Sequence, residues 1–297
     1  MTMIEYVPKR FNADKEEHID RVNDIIAEYQ RQGYSLTLRQ VYYQLVARDI
    51  IPNNERSYKN LGVLINDARL AGLISWEAIV DRTRHLRKQS HWDDPVSILK
   101  AAANQFSVDK WAEMDTYCEV WVEKDALIDI IAQVCNEWDV NCLSCRGYVS
   151  QSTMWESAIR LKHIHKQSIV FHLGDHDPSG IDMSRDMNDR LALFGADVKF
   201  ERIALNYDQI EAHDPPPNPT KLTDTRSTGY IENYGHDCWE LDALEPRIIT
   251  DLIREKIKSV MDENIFYEAL ESEIREKNKM RSFVAGYPEF EKKGIVK

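Results

Sequence analysis

The chain has 297 residues and a formal net charge of −12. A hydrophobic fraction of 43% suffices for a packed core and excludes wholesale disorder. No apolar run is long enough to span a bilayer, and the opening MTMIEYVPKR carries no apolar signal core, so a cytoplasmic location and no membrane partner are expected. The acidic total also speaks against nucleic acid as a partner, but the charge is unevenly spread. Residues 1–100 carry a net +1, residues 101–297 a net −13, and the stretch 31–88 a net +5. A modestly basic module therefore precedes an acidic one. The stretch Asp93–Asp115 holds the boundary, giving units of 1–105 and 106–297.

In chain order, residues 14–31 place Ile19, Val22, Ile25, Ile26 and Tyr29 at helical spacing. The segment SLTLRQVYYQLVARD opens on Thr37-x-x-Gln40, a capping-box pattern. It continues with Leu38, Val41, Tyr42, Leu45 and Val46 along one helical stripe. A Pro52-Asn53-Asn54 turn separates it from a third helix, from about Glu55 to Leu70, and LISWEAIV after Gly72 suits a short strand or wing. Three helices and a wing fit a winged helix-turn-helix, and they fit a generic helical bundle equally well.

The acidic module alternates. TYCEVWVE, NCLSCRGYV, QSIVFHLGD and DVKFERIAL are strand-like, and helical stretches such as DALIDIIAQVCNEW lie between them. This order predicts a parallel sheet covered on both faces, so the fold class is α/β plus α. The Pro-rich HDPPPNPTKLTDTRSTG is expected to be irregular, and a charged helical stretch from about Glu245 to Lys279 to end the fold. The five cysteines are odd in number, which suits reduced thiols. Cys142-x-x-Cys145 lacks a second ligand pair for zinc, so packing is its expected role.

Two strands end in acids: CEVWV in Glu123, and IVFHLG in Asp175-His176-Asp177. Ligands of open parallel sheets bind at the carboxyl ends of the strands, and right-handed crossovers bring those ends to one edge. Three carboxylates converging there would repel one another unless a cation sat between them. A hard ion such as Mg2+ (or Mn2+) fits such a set. Each acid alone reads as a turn, a helix cap or a solvated strand end.

EVWVEKDAL and LGDHDPSGIDM resemble the Toprim domain of topoisomerases, primases and some nucleases. The DPSGI continuation is similar to the A subunit of topoisomerase VI and the related meiotic double-strand-break protein, closest to short stand-alone Mini-A-type relatives. TLRQVYYQL looks like that family's catalytic-tyrosine segment in its winged-helix (CAP-like) domain, and WELDAL like its C-terminal Toprim segment. The resemblance implies a nucleophile at Tyr43 and a 5′-phosphotyrosyl intermediate on double-stranded DNA. It also implies a homodimer in which the tyrosine of one subunit works with the acids of the other, and a separate ATPase partner subunit. RGYVSQSTM departs from the family pattern, with Val149 and Met154 at the expected Pro and Arg places.

Periodicity adds that Tyr42 lies in the apolar stripe, while Tyr43 falls outside it on the side of Arg39, where its hydroxyl would point outward. Arg39, Arg56, Lys59 and Arg69 are candidate phosphate contacts, with Arg82, Arg84, Arg87 and Lys88 a basic run beyond the wing. Lys124, next to Glu123, is either a phosphate contact or an ion-pair partner. Catalysis would rest on Tyr43, Arg39 and Glu123, with Glu123, Asp175 and Asp177 holding metal. A Toprim nuclease using activated water and a non-catalytic dimeric DNA-binding protein are the competing readings.

Overall fold

The computed structural model describes residues 3–79 and 91–292. Its N-terminal part is helical: α1 (Ala13–Arg31), α2 (Leu38–Ala47) and α3 (Glu55–Leu70) pack around Val22, Ile25, Tyr29, Val41, Leu45 and Ile65. The starts are set by side-chain caps. Asn12 and Asn54 cap α1 and α3, and Thr37 and Gln40 form the expected reciprocal capping box on α2. The anticipated wing shows no strand over residues 73–79; Ile79 makes a single bridge to Leu36. Val80 and the basic run Arg82, Arg84, Arg87 and Lys88 lie outside the described residues.

After α4 (Pro95–Gln105) comes the α/β part. It comprises β1 (Thr116–Val122), α5 (Ile128–Glu137), β2 (Asn141–Ser144), α6 (Gln151–Lys162), β3 (Gln167–Leu173), α7 (Pro178–Leu193) and β4 (Val198–Ala204). These strands form a parallel sheet in the order β2-β1-β3-β4. The predicted second strand is shorter than NCLSCRGYV because Arg146 (φ 50°) and Gly147 (φ 82°) turn the chain with positive φ.

Side-chain alternation divides the sheet between two cores. Cys118, Val120, Val122, Ile169, Phe171 and Leu173 face α5 and α10 (Pro246–Val260), while Trp121 and Val170 face α6 and α7. Cys118, Cys135 and Cys145 are buried, Cys142 is half-buried, and all are free thiols. One buried position of β1 is charged. Glu119, in mid-β1, is 2% exposed and accepts two bonds from Arg160 of α6, at 2.9 and 2.8 Å, and one from Trp121 Nε1 at 2.8 Å.

Beyond the sheet, α8 (Tyr207–His213) and α9 (Ser227–Tyr234) flank the Pro-rich stretch. That stretch is not wholly irregular, since Asn218–Pro219 (β5) pairs with Asp237–Cys238 (β6). The C-terminal helical stretch is two helices, α10 and α11 (Glu263–Lys292). Among the described residues, no helix is long and apolar enough to cross a membrane.

Candidate functional site

The sheet order fixes where a site can form. The crossover after β1 runs to β2 on one side and that after β3 to β4 on the other, so the crevice opens between β1 and β3. Glu123 follows β1 and Asp175 follows β3 at that crevice. The Asp175 backbone N–H donates to Glu123 Oε2 at 2.9 Å, which sets the two acids side by side. Burial first, then the charge of Asp175, pushes the Glu123 pKa above the usual carboxylate range. Burial also raises Asp175, against the pull of Lys124. Asp177 is the N-cap of α7: its Oδ1 accepts from the Gly180 N–H at 2.6 Å and from Ser179 Oγ at 2.8 Å.

The Asp175–Asp177 loop is held from beneath and from one side. Arg202 of β4 donates to the carbonyls of Gly174 (2.9 Å), Asp175 (2.6 Å) and Gly180 (3.1 Å). His176 forms a two-bond antiparallel bridge with Trp239, at 2.8 and 2.9 Å, and its ring meets the Tyr230 hydroxyl at 2.7 Å. Gly180 is required by close approach, because a Cβ there would lie 2.2 Å from the Asp175 carbonyl oxygen and 3.2 Å from Glu123 Oε2.

The bridge at Trp239 delivers Glu240, Leu241 and Asp242 to the acids. Leu241 N–H donates to Asp175 Oδ1 at 2.7 Å. Lys124, left open by the sequence, is an ion-pair partner: its ammonium lies 3.1 Å from Asp175 Oδ1, 2.6 Å from Glu240 Oε2 and 2.7 Å from Asp242 Oδ1. Burial alone would favour the neutral amine, but these three carboxylates hold it charged, with a pKa well above the ordinary value.

Tyr43 is 4% exposed, which corrects the outward-pointing hydroxyl expected from periodicity. Helix α2 is covered on both sides. Its apolar stripe packs on α1 and α3, and its other side meets the turn containing Leu241–Ala243 and the Pro-rich stretch. The Tyr43 hydroxyl accepts from Asn218 Nδ2 at 3.2 Å; Asn218 Oδ1 accepts from Asn53 at 3.1 Å; and Asn53 Oδ1 accepts from the Tyr42 hydroxyl at 2.9 Å. Burial first, then the Glu240 charge, pushes the Tyr43 phenol above its ordinary pKa.

Arg39 donates to Glu240 Oε2 at 2.7 Å. Burial opposes the charged form of Glu240, yet Lys124, Arg39 and Tyr43 together hold its pKa low. Tyr43, Arg39, Asp175, Asp177, Ser179 and Glu240 thus line one cleft of about 810 Å3 within a single chain. Glu123 is not among the cleft's walls and reaches it through its bond with the Asp175 N–H.

The remaining basic candidates divide. Arg56 is exposed on α3, and Lys59 pairs with Glu55 at 2.7 Å on the same exposed surface. Arg69 is turned inward and is not placed as a phosphate contact: it donates to the carbonyls of Trp76 and Ile79 and lies over the Trp76 ring. Sequence reasoning flagged the WELDAL segment without giving Glu240 and Asp242 a role, and it missed Arg202. The signal for Arg202 was an arginine followed directly by the apolar Ile203, Ala204 and Leu205 at the end of β4.

The donor chemistry of Glu123 and Asp175 suits a hard divalent cation, since two adjacent carboxylates raise each other's cost of ionisation. Among the described residues, no three acid, His or Cys side chains are already gathered as a metal cage. Compared with protein-family models and with curated proteins, the chain matches none.

Proposed function

We propose that the chain is a DNA-binding, metal-dependent strand transesterase of the topoisomerase VI A-subunit kind. On this reading residues 1–105 form a winged-helix DNA-binding unit and residues 106–297 a Toprim unit, and the protein works as a homodimer on duplex DNA. The observation that carries it is the shared cleft: a tyrosine at position 43 faces acids more than 130 residues away in sequence, at the switch point of a parallel sheet.

Tyr43 Oη attacks a backbone phosphorus, and the bond from phosphorus to the 3′-oxygen breaks. The phenol gives up one proton and the departing 3′-oxygen takes one up, so the step is proton-neutral and the phosphodiester energy is kept in the 5′-phosphotyrosyl bond. Arg39 supports the phosphate charge beside the nucleophile. Glu123 and Asp175, with Asp177 at the mouth, would hold Mg2+ (or Mn2+), which when bound neutralises charge on the phosphate oxygens. The buried, protonated Tyr43 with its Asn218 bond describes a resting state, so cutting requires the cleft to open. An ATPase partner subunit is one source of that opening.

The test is a denaturing gel of protein with end-labelled duplex DNA and Mg2+. A covalent adduct is expected with the wild type and none with Tyr43→Phe; an adduct that persists in Tyr43→Phe refutes the assignment. One observation favours a second reading. Tyr43 is 4% exposed and its hydroxyl is bonded to Asn218, which suits a hydrolytic nuclease in which Tyr43 is structural. In that case Tyr43→Phe cuts normally and Asp175→Ala does not.

A further inference from the structure

Two cations from different elements converge on one oxygen. Arg39 Nη1 of α2 lies 2.7 Å from Glu240 Oε2, and Lys124 Nζ, just after β1, lies 2.6 Å from the same atom. The Tyr43 phenol adjoins that carboxylate. A guanidinium and an ammonium on a single anionic oxygen, with a phenol beside the same group, is an arrangement that suits a phosphate oxygen, and here a carboxylate of the same chain fills it. The rest of the cluster does not need Glu240. Lys124 keeps Asp175 and Asp242, at 3.1 and 2.7 Å, when Glu240 leaves. The Glu240 side chain is 27% exposed, opens on the cleft, and stands just before a short turn rather than inside a long helix.

We infer that the position of Glu240 Oε2 is a phosphate-binding site, and that Glu240 is an internal phosphate mimic which a phosphodiester displaces. A diester carries one negative charge, like the carboxylate it replaces, so Arg39 and Lys124 stay compensated through the exchange. Glu240 thus covers Tyr43 until a phosphate takes its place. That the phosphate belongs to DNA rests on the function proposed above; the anion site itself does not.

The experiment uses the full chain in EDTA, where binding is read without cutting. Fluorescence anisotropy with a labelled duplex is recorded across a salt series for wild type, Glu240→Gln, Glu240→Gln with Arg39→Ala, and Asp224→Asn. Asp224 lies elsewhere on the cleft wall, paired with Arg226, which keeps Asp182, so its variant removes the same charge without touching Arg39 or Lys124. Freed of its competitor, Glu240→Gln binds about tenfold tighter, and its log–log salt slope steepens by about 0.9, one neutralised phosphate. Adding Arg39→Ala removes the gain.

An equal gain in Asp224→Asn means general repulsion and overturns the inference, as does unchanged binding in a Glu240→Gln protein that unfolds at the wild-type temperature. Glu240→Asp, which shortens the reach while keeping the charge, gives an intermediate gain and stands in if Glu240→Gln folds poorly. If neither wild type nor variant binds duplex, the DNA reading fails on its own. The anion site is then decided by calorimetry with inorganic phosphate: tighter binding to Glu240→Gln than to wild type sustains it, and equal binding overturns it.

Discussion

Replacing Lys124 by methionine removes the one ammonium shared by Asp175, Glu240 and Asp242 and keeps most of the side-chain volume. The side chain of Asp242 is fully buried and those of Lys124 and Asp175 are only 14% and 11% exposed, so water reaches the orphaned carboxylates poorly. At an effective dielectric of about 20, one contact near 2.7 Å is worth about 6 kcal/mol of attraction, most of it offset by desolvation. What remains measurable is the penalty of leaving buried carboxylates unpaired, about 3–5 kcal/mol. For a chain of this size that corresponds to a fall in melting temperature of roughly 5–8 °C. Urea unfolding at pH 7 measures the loss. Lys124→Met combined with Asp242→Asn recovers part of it, because the double variant no longer strands the most deeply buried charge. A Lys124→Met protein within about 0.5 kcal/mol of wild type at pH 7, with an unchanged urea slope, refutes the view that Lys124 neutralises this cluster.

Gly180→Ala puts a Cβ 2.2 Å from the Asp175 carbonyl oxygen, so the first turn of α7 and the acid loop must shift; urea unfolding should show a loss of about 1–3 kcal/mol, and DNA cleavage should fall with it. Glu273 accepts from Lys110 (2.7 Å), Lys277 (2.6 Å) and the Val108 N–H (3.1 Å); burial works against its charge, but these partners hold its pKa down to about 2. A depressed acid stabilises above its unfolded pKa, so the difference in melting temperature between wild type and Glu273→Gln is full near neutrality and shrinks as pH falls from about 4.5 to 2; a difference that is flat with pH contradicts the assignment.

The sequence exposed local rules well and long-range closure poorly. The capping box at Thr37 and Gln40, the three N-terminal helices and the βα alternation rest on spacing within a few residues, and the structure has them nearly where the spacing puts them. The same local reasoning misread Tyr43. One helix's periodicity identifies the face turned from its own core, but not what a distant segment lays over that face. Here residues 217–218 and Glu240 cover it, so an outward face became an inner wall. Lys124 was ambiguous for the same reason: its readings differ in whether distant acids come within reach, and besides Asp175 the His176–Trp239 bridge brings Glu240 and Asp242. Glu240 lay inside the flagged WELDAL segment, but nothing local says what its carboxylate does. Its meaning comes from the two cations that meet on it. The total charge misleads in a related way. Much of the acidity at the cleft is already answered by Lys124 and Arg39, so what an incoming phosphate meets is decided by which carboxylate yields its place, and the net charge carries no information about that.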